Sequence, residues 1–191
     1  MAGTEVDVTV ILRCRDDEER VGHAVRQVSA HVSSLNLSCE VLVADEGSGD
    51  NTVAIAMLLR RHHKDLEVLQ RGAQSSLFEA AQRARGKTLL LLDVRAADAN
   101  LSPLGFVLGR VSDDLDLFVM SERYIVMRRA RTWRAFDALH QRDWPALEKR
   151  LVERAIELGL RHSTAALRSQ RRRLRDLFRL PLPSLKRTRA I

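Results

Sequence analysis

Residues 39–52, CEVLVADEGSGDNT, restrict the fold of this chain more than any other stretch. Residues 39–44 are an apolar, partly β-branched run of strand length. It is halted by Asp45-Glu46-Gly47-Ser48-Gly49-Asp50, where two adjacent carboxylates and two glycines leave no room for further strand. An alanine- and leucine-rich pattern follows from Thr52, with Asp50 or Asn51 placed to cap a helix. In an open α/β sheet such a turn lies at the carboxyl end of a strand, where ligands bind. Acidic turns of this kind also join strands to helices without any ligand, so the motif alone leaves both readings open.

The same alternation runs along the chain. Strands are expected at residues 6–12 (VDVTVIL), 66–69, 87–93 (KTLLLLD), 115–120 and 124–127. Helices are expected through Val21, Ala24, Val25, Val28 and Val32, then at 53–61 and 101–111, and from 143 onward. Four successive leucines in 89–92 require cover on both faces of the strand, as in a parallel or mixed sheet between helices. The last helix carries Leu147, Leu151, Ala155 and Leu158 as an apolar stripe, closed by Gly159. Asp16-Asp17-Glu18-Glu19 precedes the first helix, and acids in a first turn face the positive end of the helix dipole. An α/β class follows, with a mostly parallel central sheet and helices on both faces.

A chain of 191 residues, 45% hydrophobic and 30% charged, suits one domain with a sizeable core. The formal charge of +7 is uneven. Residues 162–191 hold nine Arg or Lys against Asp176 alone, while residues 1–161 hold 23 against 24. The expected division is therefore 1–161 for the domain and 162–191 for a basic tail. Within the tail, Leu174, Leu177 and Phe178 share a helical face opposite Arg171–Arg173, until Pro181 and Pro183 end the helix. Such a segment suits an anionic membrane surface, a partner protein or the chain's own core. Nucleic acid is disfavoured, because aromatic residues make up 4% of the chain and no recognition motif accompanies the charge. Cys14 and Cys39 are expected as buried thiols. His62 and His63 point apart on a helix and suit a solvated terminus better than a metal. With no apolar leader at the start and no spanning run, the expected location is cytoplasmic, with peripheral attachment at the inner face of the membrane open to the tail.

Residues 43–52 resemble the nucleotide-binding signature of family 2 glycosyltransferases of the GT-A fold, V-V-D-D-G-S-x-D-x-T, with Glu46 the acidic substitution in it. VTVILRCRDDEERV aligns without a gap to that family's V-S-V-V-I-P-x-x-N-E-E-x-R-I, placing Arg13 at the proline and Asp16 at the asparagine. GAQSSLFEAAQRARG matches G-K-G-x-A-L-x-x-G-x-x-x-A-x-G, keeping Gly72, Leu77, Ala84 and Gly86 and replacing the usual cation with Ala73. Arg128-Arg129, Trp133 and Phe136-Asp137 echo a later motif without its glycine pair. Counting back from Gly159, Glu148 stands at the acid of E-D-x-x-L-x-x-R-x-x-x-x-G. The likeness covers about residues 6–161.

The resemblance implies a GT-A, Rossmann-like sandwich that moves a hexose from a nucleotide-diphosphate sugar to an acceptor hydroxyl. Asp45 and Glu46 would contact the nucleoside, with Asp16 beside them. Arg71 would stand near the phosphates in place of the lost cation, and Glu148 would be the base. Where the family has D-x-D to hold Mg²⁺ or Mn²⁺, this chain has Asp93-Val94-Arg95, so a metal at Asp93 is doubtful. Either the site is broken and the chain is a silent binding or scaffolding subunit acting through its tail, or Arg95 itself supplies charge to the diphosphate. Asp98 replaces a ligand only if its loop folds back. Glu148 has an alternative of its own, as an exposed helix acid paired with Arg150 or Arg154.

Overall fold

The computed structural model describes residues 6–97, 101–141 and 143–165. Valine, isoleucine and leucine fill the inner strands, where flat, two-sided burial suits branched side chains. Four of these strands lie parallel: β1 (Val8–Cys14), β2 (Cys39–Asp45), β3 (Leu66–Gln70) and β4 (Thr88–Asp93). A hairpin of β5 (Leu117–Met120) and β6 (Tyr124–Arg128) adds to β4 through β6, which runs antiparallel to it. The last strand, β7 (His162–Ala165), pairs parallel with β5, and the sheet order is β3-β2-β1-β4-β6-β5-β7.

Alternation along each strand separates two cores. Val10, Leu12, Val41, Val43, Leu90, Leu92 and Val126 face α1 (Glu18–Ser34), α2 (Thr52–Leu59) and α4 (Leu104–Asp113). Ile11, Leu42, Leu89, Leu91, Ile125 and Met127 face α3 (Ser76–Arg83), a 3₁₀ stretch Trp133–His140 and α6 (Trp144–Glu157). A short α5 (Arg129–Thr132) leads from β6 into that stretch. The expected α/β sandwich is thus present, with helices on both faces.

Several boundaries differ from the sequence reading. The first strand begins at Val8 instead of residue 6 and runs on through Arg13 to Cys14, because β2 and β4 flank it and supply backbone partners there. The fourth helix starts at Leu104, after Pro103, not at residue 101. His162–Ala165, read as the start of the tail, belongs to the sheet. Its polar sequence gives no strand signal, and the strand is set instead by Asp116, which is 1% exposed and accepts from Arg161 N (3.1 Å) and Nη2 (3.3 Å). Residues 166–191, including the amphipathic tail segment, and Asp98 lie outside the described residues.

Two glycines of the motifs have local reasons. Gly86 enters β4 against β1, donating its N–H to Thr9 Oγ1 (2.8 Å). A Cβ there would stand 2.8 Å from the Val8 carbonyl carbon and closer still to Thr9 N. Gly159 takes φ +63° just past α6, the left-handed turn that ends helices. The cysteines stand at opposite ends of the β1–β2 pair, since Cys14 is level with Asp45 and Cys39 with Val8. Both are thiols, and burial pushes Cys39 up to about 12 and Cys14 higher.

Candidate functional site

Parallel strands end together, so the carboxyl ends of β2, β1 and β4 put Asp45, the Arg13–Asp17 segment and Asp93 along one edge. Neighbouring strands are about 4.8 Å apart, which puts Asp45 and Asp93 on strands roughly 10 Å apart, with β1 between them. The β5–β6 turn reaches the same edge, since Tyr124 is level with Leu92. Glu148 rises to that turn from α6. Asp16, Asp45, Asp93, Arg95 and Glu148 therefore share one edge of the molecule, and each already has protein partners.

Asp45 is 3% exposed and folds onto its own turn, accepting from Gly47 N (3.2 Å), Ser48 N (3.2 Å) and the Ser48 hydroxyl. Asp16, at φ +53°, accepts from Gly49 N (2.7 Å) and donates its own N–H to Ser48 Oγ (3.0 Å). The loops after β1 and β2 are further joined by Asp17 N to Thr52 Oγ1 (2.8 Å) and Glu18 N to Asp50 Oδ2 (3.1 Å). Asp50 also accepts from Thr52 N (2.9 Å), and with Thr52 as its leading partner its carboxyl is held below the usual range. Of the two expected caps for α2, the aspartate makes the side-chain bond.

Glu46 turns to the other face. Its Oε1 accepts from Ser75 Oγ (2.9 Å), Ser76 Oγ (2.7 Å) and Leu77 N (3.2 Å), so it caps α3. Arg71 donates to Oε2 at 3.4 Å. Burial raises the Glu46 carboxyl most, yet the bonds from Ser76, Ser75 and Leu77 together with the Arg71 charge outweigh it, and its pKa is lowered. The amino end of α3 is thus taken by a protein carboxylate. Arg71 shares its charge with the same group.

At the end of β4, Asp93 Oδ2 accepts from Arg13 Nη1 (3.2 Å) and Oδ1 from Arg95 N (3.0 Å). Arg13 and Asp93 are paired directly across β1 and β4. Arg95 reaches back over the edge, donating Nε to Asp17 Oδ1 (3.1 Å) and Nη2 to the Arg15 carbonyl (3.4 Å). Its pKa is raised by the Asp17 bond and charge. These donors do not suit Mg²⁺ or Mn²⁺: one carboxylate paired with a guanidinium offers a hard cation little. Among the described residues no group of three or more His, Cys, Asp or Glu side chains is arranged to hold a metal.

Glu148 is 8% exposed. Its Oε1 accepts from Glu122 N (2.7 Å) and Trp144 Nε1 (2.7 Å), and Oε2 from Ser121 Oγ (3.1 Å). The alternative of an exposed acid pairing with Arg150 or Arg154 is not what is seen. Arg150 pairs with Glu153 and Glu157, and Arg154 with Asp137 and Glu157.

Several of these pairings escaped the sequence reading. Trp144 precedes Glu148 by one helical turn, a spacing that places them on one face. Arg13 closes β1 as Asp93 closes β4, and parallel pairing of those strands puts them side by side. The Ser75-Ser76 pair under Glu46 and the Asp17–Arg95 bond have no comparable signal.

No protein-family model matches the sequence, and no curated protein matches it. Solved structures do. A mannosyltransferase, PcManGT from Pyrobaculum calidifontis in complex with GDP-Man and Mn²⁺, superposes with a TM-score of 0.67 at 16% identity, over 86% of this chain and 56% of that one. The fold is that of the GT-A nucleotide-diphospho-sugar transferases. Mannosyl-3-phosphoglycerate synthase from Rubrobacter xylanophilus gives 0.62 at 15% identity, over 92% of this chain and 76% of that one. TarS from S. aureus gives 0.60 at 14%, over 83% and 58%. The chain thus spans little more than half of two of these GT-A proteins.

Proposed function

We propose that this chain is a family 2-like glycosyltransferase domain that moves a hexose from a nucleotide-diphosphate sugar to an acceptor hydroxyl without a divalent cation. One observation carries the reading. Arg95, whose side chain is 64% exposed, stands where D-x-D has its second acid, and bonds to Asp17 and Arg15 engage two of its five N–H donors. A planar guanidinium with donors to spare pairs well with diphosphate oxygens. The acceptor oxygen would attack the anomeric carbon, the bond from that carbon to the diphosphate oxygen would break with its electron pair leaving on the diphosphate, and Arg95 would stabilise the charge there. Glu148 would take the acceptor's proton. Its three bonds orient it and leave about one of its four lone-pair sites open. Asp45, Glu46 and Asp16 would shape the nucleoside end of the site through their turn. The similar structures support the nucleotide-sugar donor, being described with GDP-Man and Mn²⁺ in one case and UDP-GlcNAc in another.

A second reading is favoured by Glu46 in the amino end of α3 and Arg13 on Asp93: a degenerate, silent GT-A domain serving as a cytoplasmic binding or scaffolding subunit through its basic tail, on an anionic membrane surface or a protein. Titration with UDP and with GDP, in EDTA and in Mn²⁺, separates them. Saturable binding that ignores metal supports the first. Absence of binding to either nucleotide assigns the second, and binding that requires Mn²⁺ contradicts both.

A further inference from the structure

On the outer side of the second helical layer, between α3, α5, the 3₁₀ stretch and α6, runs an open groove of about 910 Å³. None of the described residues that line it belongs to the carboxyl-edge site. Its floor is apolar, from Phe78, Ala81, Phe136 and Leu158, and Trp133 stands in its wall with 59% of its surface exposed. A large aromatic left in water at the side of an apolar groove is the kind of residue that anchors a partner. The ring is held in place. Arg134 lies over it, 5.1 Å from guanidinium carbon to ring centroid, and across the floor Phe78 stacks on His140 at 4.3 Å.

The rim has a definite sign. Arg129, Arg134 and Arg154 line the groove against Asp137 alone. Arg154 is cancelled by Asp137 (3.1 Å) and Glu157 (2.6 Å). Arg129 is fixed by donating Nε to the Gly86 carbonyl (2.8 Å), a neutral acceptor, and Arg134 rests on an indole. Among the described residues neither has a carboxylate partner, so the groove keeps about two positive charges beside its apolar floor.

We propose that this groove is a docking site for an acidic amphipathic segment of a partner protein, with an apolar anchor against Trp133, Phe78 and Phe136 and carboxylates against Arg129 and Arg134. Charge complementarity selects that occupant. The chain's own tail carries nine cations to one acid and would be repelled by the same rim. A concave apolar floor also matches a helix or extended segment better than a flat bilayer.

The probe is a synthetic helical peptide of about eighteen residues, or five turns, with Leu and Phe on one face and Glu on its flanks. Its control carries Lys for every Glu. Trp133 fluorescence reports docking, and anisotropy of labelled peptide reports it in variants. The Glu peptide is expected to saturate with a blue shift of Trp133 emission. Trp133→Ala, and Arg129→Glu with Arg134→Glu, are each expected to weaken it at least about tenfold. Both changes are at exposed positions, and an unchanged urea midpoint verifies folding. Equal binding of the Lys peptide, or no saturation up to about 1 mM, overturns the proposal. So does phosphatidylserine-vesicle binding lost in Trp133→Ala, which would assign the groove to a membrane. A dimer lost in the same variant would assign it to a second copy of the chain, with the same consequence.

Discussion

At Gly86 the contact with β1 is backbone against backbone, so no side-chain rotation relieves an added methyl. Gly86→Ala is expected to cost about 3 kcal/mol, the upper part of the overpacking range, read as a fall in the urea midpoint. Glu46 makes a different prediction. Its folded pKa lies below the ordinary 4.5, so the stability it contributes is complete above that value and is lost as pH falls through the folded pKa. Glu46→Gln should therefore flatten the acid limb of a stability–pH profile below about pH 4.5. It should also cost about 2 kcal/mol near neutrality, where a charged acceptor for four donors is replaced by a neutral one. A variant with an unchanged acid limb would show that Glu46 is not the group that senses acid. At this level the sequence was half legible. Asp45 and Glu46 read as a pair, yet they point to opposite faces because they straddle the end of a strand. One holds a turn and the other a helix.

Among the elements, alternating apolar runs and helical stripes made most of the sheet readable, and KTLLLLD marked the centre because a strand covered on both faces has no polar side. β7 was unreadable for the opposite reason. Its four residues carry no apolar alternation, and the strand depends on Asp116, which stands 45 residues before Arg161 in the chain, a contact that composition does not encode. Burial raises the Asp116 carboxyl most, but the Arg161 bonds and charge, aided by Arg131, overcome it and hold it low. Asp116→Ala removes the acceptor of Arg161 N and of two half-exposed guanidiniums and is expected to cost about 1–2 kcal/mol. It should also remove hydrogen-exchange protection at 162–165 while leaving β1 and β4 protected. Loss of protection throughout the sheet would show that β7 is integral to the whole and not a peripheral strand.

Taken as a molecule, the chain has the GT-A fold, and arginines stand among the acids at the carboxyl edge of its sheet. Arg13 pairs with Asp93 and Arg95 with Asp17, and under the proposed function these cations would supply the charge that a divalent ion brings. Arg13→Ala with Arg95→Asp should reverse this, and nucleotide binding by that variant should become Mn²⁺-dependent in a calorimetric titration. The most direct measurement is the dissociation constant of UDP and of GDP in EDTA, compared between the native chain and Arg95→Ala. Saturable binding by the native chain, weakened at least about tenfold in the variant, is the predicted result. Native binding that appears only when Mn²⁺ is added, or a variant that binds as tightly as the native chain, would contradict it.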